Sequence, residues 1–140
     1  MSARRTPAVV IGAGPAGLAT GTYLTRHGVD HVVLERGEVA HSWRTERWDS
    51  LRLLTLNWMN RLPGSGDPGD DRDGYMTATD VVEHLDRYRA LVAAPVVDHT
   101  TVTAVRHASP GFTVGTDRGR WRYRAVMVAT GAAGTAHIPL

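Results

Sequence analysis

The sequence contains no cysteine, which excludes a disulfide framework and thiolate chemistry from the outset. It contains no lysine either, since all 16 basic residues are arginine. No apolar run approaches the roughly 20 residues that span a bilayer. After Met1 to Pro7 only four apolar residues follow, Ala8 to Ile11, too few for the apolar region of a signal peptide. These absences point to a cytoplasmic protein with no membrane partner. The net charge is only +2 and the arginines are scattered along the chain, which argues against a nucleic-acid partner. The seven histidines show no metal-ligand spacing. No paired carboxylates and no Ser/His/Asp set offer chemistry of their own.

A chain of 140 residues with 42 % hydrophobic content can bury one core, so a single domain over 1–140 is expected. The one low-complexity stretch, PGSGDPGDDRDG at 63–74, reads as a flexible, solvated loop.

The most informative stretch is Val9 to Arg36, VVIGAGPAGLATGTYLTRHGVDHVVLER. Ala8 to Ile11 is a continuous apolar run, as in a strand buried on both faces. Helical spacing runs from Pro15 to about His27, and Gly28 stops it. His31 to Leu34 is a second apolar strand, ending at Glu35. The order strand, glycine turn, helix, strand is a βαβ unit. Within it Gly12, Gly14 and Gly17 have the G-x-G-x-x-G spacing. Gly12 permits the tight turn, Gly14 lets a pyrophosphate approach the backbone, and Gly17 lets helix and strand pack closely. Glu35 follows at about the 20-residue separation expected of a carboxylate on ribose hydroxyls. An adenine dinucleotide is the ligand this pattern suits.

Further along, Leu51 to Leu54 suggests a short extended piece. Thr79 reads as the N-cap of a helix carrying Val81, Val82, Leu85, Tyr88 and Leu91. Val96 and Val97 form a brief strand. Three alternating runs, Thr101 to Arg106, Gly111 to Thr116 and Arg120 to Arg124, are separated by the turn signals SPG and DRG and predict an antiparallel meander. Ala125 to Thr130 is another buried strand, closed by Gly131. Trp43 and Trp48 read either as core aromatics or as site residues. Arg47 and Arg52 read as a solvated basic face, and His84 as a surface residue.

Five segments together carry a family resemblance: VVIGAGPAGLATGTYL, VVLERGEVAHSWR, RWDSLRLLTLNWMNRLPG, GYMTATDVVEHLDRYRA and VMVATGAAGTAHIP. They resemble the N-terminal FAD-binding part of flavin-containing monooxygenase and Baeyer–Villiger-like flavoproteins. The resemblance implies an α/β fold, a Rossmann-like FAD-binding domain. Its parallel sheet has helices on its faces and an inserted three-stranded antiparallel β-meander. It implies that Gly12, Ala13, Gly14, Pro15 and Gly17 hold the pyrophosphate. Glu35 would take the adenosine ribose, with Arg36 beside the adenine. Ser42, Trp43 and Arg44 would line the pyrophosphate and ribityl region. Leu54 and Asn57 would lie near the isoalloxazine. Val102 would meet the adenine, and Thr130 and Gly131 would return the chain to the phosphates. One departure is Leu56, where the family often has proline.

The resemblance also implies a small organic substrate, and an NADPH site that only a second domain or partner would supply. On this expectation the chain stops before the NADPH domain, and is incomplete alone or half of a split enzyme. A second polypeptide or a homodimer would cover the exposed domain face. The alternative is a stand-alone protein of this fold that has lost redox function. It would act as a non-redox cyclase or isomerase, or as a ligand-binding or interaction module.

Overall fold

Strand β1, Ala8–Ile11, is buried along its whole length. The reason lies in the alternation of side chains across a strand. Val10 packs with Val33, Leu18 and Leu85 on one side of the sheet. Val9 packs with Leu34, Val114 and Tyr123 on the other. A strand covered on both faces reads as a continuous apolar run, as this one does. The computed structural model describes residues 7–66, 69–132, 134 and 137–139. The expectations for Met1 to Thr6, for Asp67 and Pro68 within the 63–74 loop, and for Ala133, Thr135, Ala136 and Leu140 lie outside the described residues.

From β1 the chain turns into helix α1, Pro15–Arg26, and returns as β2, His31–Leu34. Proline at the first turn suits α1, because that N–H has no helical acceptor in any case. Gly28 takes the left-handed conformation, φ +65°, just past the helix end. A short helix α2, His41–Thr45, follows, then a 3-10 turn, Asn57–Asn60, and helix α3, Ala78–Leu91. Strand β3, Val96–Val97, completes this side. The strands β4 (Val102–His107), β5 (Phe112–Thr116) and β6 (Gly119–Tyr123) form the meander, and β7, Ala125–Val128, returns to the first sheet.

The first sheet is parallel, in the order β3-β2-β1-β7. The second is antiparallel, in the order β4-β5-β6. Leu18 of α1 and Val81, Leu85 and Tyr88 of α3 share one cluster with Val10 and Val33. The meander residues Val102, Val114 and Tyr123 cover the opposite face with Val9, Val32 and Val126. The molecule therefore has three layers: helices, parallel sheet and meander. Burial of Leu18 and Leu85 stabilises it by ~1.5–3 kcal/mol each. Between the two helices Thr22 Oγ1 lies 2.7 Å from Tyr88 Oη, which in turn donates to Pro63 O at 2.7 Å.

Two features differ from the sequence reading. Helix α3 is capped by Thr77, not Thr79: Thr77 Oγ1 accepts from Asp80 N at 3.1 Å, and Asp80 Oδ2 accepts from Thr77 N at 2.9 Å. This is a reciprocal capping box, and it places Thr79 inside the first turn. The hydrogen bond from the Thr77 N–H, and after it one with the Thr77 side chain, holds the Asp80 carboxyl below its ordinary range. In the Leu51 to Leu54 piece, only Arg52 makes a bridge, to Thr77. The fold also gathers charges that look scattered in sequence. By register Arg106 of β4 and Arg120 and Arg122 of β6 share the meander's outward face. No helix among the described residues is long and apolar enough to cross a membrane.

Candidate functional site

The parallel strands β1, β2 and β7 end side by side, and a cavity of about 870 Å³ opens beyond Ile11, Leu34 and Val128. This is the carboxyl edge of the sheet. It is also where strand order reverses, since β2 lies on one side of β1 and β7 on the other. Open α/β sheets offer ligands a crevice at such a point. Among the described residues no side chain caps α1, so the first N–H groups of the helix are left to whatever fills the cavity.

The three fingerprint glycines have different physical reasons. Gly12 has φ +108°, and a Cβ there would overlap the carbonyl of Ala129. A Cβ on Gly17 would overlap the carbonyl oxygen of Gly12. The packing of β1, α1 and β7 demands both. Gly14 is different. Its backbone is extended, φ −85° and ψ −168°, which any residue adopts. Among the described residues, a Cβ there would meet nothing within 4 Å. Nothing among the described residues demands a glycine at this position, which lines the cavity.

Glu35 is 7 % exposed at the end of β2 and also lines the cavity. Its Oε2 accepts from Ala13 N at 2.9 Å, and its Oε1 from Gly37 N at 3.0 Å. The carboxylate thus clamps the glycine turn to the loop after β2. Each oxygen retains a further lone pair for a ligand hydroxyl.

Of the residues singled out from sequence, Gly12, Gly14, Pro15, Glu35, Arg36, Ser42, Trp43, Val102, Thr130 and Gly131 come together around this cavity. Five do not line it. Ala13 is buried beneath the turn, with its N–H on Glu35. Gly17 packs against Gly12. Leu54 is 96 % exposed. Asn57 lines a second cavity, of about 590 Å³, beside His84 and Tyr88. Arg44 turns toward α3: its Nε donates to Val39 O at 2.9 Å and its Nη2 to Asp86 Oδ2 at 2.7 Å.

The sequence reading missed Arg47, which it placed on a solvated face. Arg47 lines the cavity and lies over the Trp43 ring, 4.6 Å from its centroid. Arg47 lies just past the short helix, beyond its C-cap residue Glu46, so no helical spacing announced it. His41, Thr100 and Thr101 also line the cavity unforeseen. Arg36 is paired with Glu46. His84 is half-buried, with Nε2 3.2 Å from Asn60 O. Burial pushes its pKa down, and the Asn60 carbonyl opposes that shift. Among the described residues no group of His, Asp and Glu side chains is placed to hold a metal.

Residues 9–139 match the family model described as pyridine nucleotide-disulphide oxidoreductase. A similar curated protein is an uncharacterized CzcO-like oxidoreductase of Geobacillus kaustophilus. It is 33 % identical over 132 residues, covering 94 % of this chain and 37 % of that protein. The solved flavin-containing monooxygenase of Stenotrophomonas maltophilia is 31 % identical with a TM-score of 0.82, covering 96 % of this chain and 41 % of that one. A structure of OTEMO in complex with FAD and NADP shares the fold, with a TM-score of 0.82 at 23 % identity, covering 96 % of this chain and 27 % of that one. The chain therefore spans about two-fifths or less of the length of these relatives.

Proposed function

From the premise that this chain belongs to the pyridine nucleotide-disulphide oxidoreductase family, we propose that its cavity binds FAD. The chain would serve as the FAD-binding part of a flavin-dependent monooxygenase-like oxidoreductase. The observation that carries this reading is Gly14, a cavity-lining glycine that neither its φ nor its packing requires. A ligand whose phosphates press on that backbone does require it. The rest of the lining fits the same group. The open first turn of α1 suits the phosphates. Glu35, at the end of β2, suits a ribose. Trp43, Val102 and Ile11 supply apolar wall.

In this proposal Gly12, Gly14 and Pro15 hold the pyrophosphate, and Thr130 and Gly131 close on it from β7. Glu35 accepts the ribose hydroxyls and Arg36 flanks the adenine. Ser42 and Trp43 line the ribityl path. Bound FAD would supply two-electron redox chemistry. A nicotinamide site for NADPH and a pocket for a small organic substrate would lie on protein outside these residues. A further domain, a second polypeptide or a homodimer partner would provide them. Cytoplasmic residence belongs to the same proposal.

The test is the visible absorption spectrum of the purified protein, with FAD added and free flavin then removed. A flavin band that stays with the protein supports the reading. A colourless protein that ignores added FAD overturns it.

A further inference from the structure

We infer that Arg47, held against Trp43, is the cation that this site presents to the phosphates of its dinucleotide, and that Arg44 is a strut that aims it. The inference rests on the FAD reading above and goes beyond it to a residue and a basis for selectivity.

The three guanidinium groups near the site have different fates. Arg36 lines the cavity but is neutralised by Glu46. Arg44 is bonded to Val39 O and Asp86, with Glu38 Oε2 a further 3.8 Å away, and does not line the cavity. Arg47 does line it, and among the described residues no carboxylate lies within ion-pair distance of it. Its Nε is buried with no hydrogen-bond partner among the described residues. A buried, unmet, charged donor is costly unless a ligand meets it.

The cavity's own carboxylate, Glu35, is not that partner: its oxygens are held by the Ala13 and Gly37 N–H groups, and among the described residues it makes no ion pair with Arg47. The missing counter-charge is therefore one that arrives with the ligand. A pyrophosphate brings two negative charges, and a guanidinium fork matches phosphate oxygens. Stacking on Trp43 fixes the plane of that fork before the ligand enters.

The support behind Arg47 is also visible. Ala40, which precedes α2, donates its N–H to Ala13 O at 3.2 Å, tying the helix to the glycine turn. Arg44 ties the same helix to α3 through Asp86. Arg47 follows directly on the C-cap residue, Glu46. The arginine that looked like a ligand thus holds the helix, and the one that looked like a surface residue faces the cavity.

The test measures dissociation constants for FAD, ADP and riboflavin on wild type, R47M, R47K and R44M. Circular dichroism verifies folding of each. R47M should weaken FAD and ADP by a similar factor, about ten- to a hundredfold, as expected for loss of a charged hydrogen bond. Riboflavin, which carries no phosphate, should bind wild type and R47M alike. R47K, which keeps the charge without the fork, should fall between the two. An R47M protein that is folded and binds FAD and ADP as wild type does overturns the inference. So does a phosphate-selective loss in R44M rather than R47M. If R47M fails to fold, R47K decides: wild-type affinity for ADP there rejects the fork, and weakened ADP with unchanged riboflavin supports it. A wild-type chain that binds neither FAD nor ADP overturns the FAD reading, and the inference with it. FAD binding without the Arg47 effect leaves the reading standing alone.

Discussion

Replacing Gly14 with alanine should separate binding from folding. The new Cβ would meet no atom of the described residues within 4 Å, and φ −85° with ψ −168° is open to alanine. Alanine is a poorer N-cap than glycine by some tenths of a kcal/mol. It also restricts the unfolded chain by about 0.4–1 kcal/mol in its favour. The net change in stability should stay within about 0.5 kcal/mol. The ligand feels the change differently. A phosphate oxygen bonded at about 2.9 Å to the N–H groups of this turn would lie within the ~3.5 Å contact distance of an added carbon. It must withdraw, and losing one charge-assisted bond costs about 1.5–3 kcal/mol, roughly ten- to a hundredfold in affinity.

Gly17→Ala is the counterpart, because its Cβ would overlap the Gly12 carbonyl oxygen. Backbone cannot swing aside as a flexible side chain does, so overpacking should cost ~1–3 kcal/mol or more. The assay is urea unfolding followed by FAD titration, on wild type and both variants. If Gly14→Ala folds normally and keeps FAD affinity within about threefold, no phosphate approaches Gly14 and the dinucleotide site is wrong. If Gly14→Ala loses as much stability as Gly17→Ala, the argument from open space is wrong.

Other consequences are as direct. Thr77→Ala removes the acceptor for Asp80 N and should lower stability by ~1 kcal/mol, while Thr79→Ala should change it by much less; equal losses in chemical unfolding would restore Thr79 as the cap. Glu35→Ala strands the N–H groups of Ala13 and Gly37, so it should cost ~1–3 kcal/mol of stability even without ligand. Unchanged unfolding in apo protein would mean that the carboxylate does not clamp the turn. Burial depresses the folded-state pKa of His84 below its ordinary 6.5, so the unfolded chain binds the proton more readily. The neutral ring's contribution is complete above pH 6.5 and is lost as pH falls through that value toward the folded one. Wild type should therefore lose more stability between neutral pH and mildly acidic pH than His84→Gln does. Parallel pH profiles would place the ring in solvent.

The residues themselves determined much of this protein. Val9 and Val10 in succession declare a strand covered on both faces, and the structure buries one in each core. The glycine turn, the proline at the start of α1, Gly28 past its end and the apolar run at His31 are local signals. The chain obeys them because backbone conformation and helix ends depend mainly on near neighbours. The meander was legible for the same reason, with its strands displaced by one residue at most of their ends. Even the Thr77 cap could have been read, since T-x-x-D at 77–80 is a capping-box spacing.

Tertiary structure alone decided the rest. Nothing within a few residues of Arg44 says that Asp86, on another helix, will draw it away from the cavity and leave Arg47 to face inward. Leu54 and Asn57 look like site residues by their place in the chain, yet one is in solvent and the other in a separate cavity. The arginines of β4 and β6 share one face only because register sets them there. Local sequence chooses the conformation of a segment. The direction of a side chain on a short helix or loop is chosen by partners far away in sequence, and those exist only once the layers have packed.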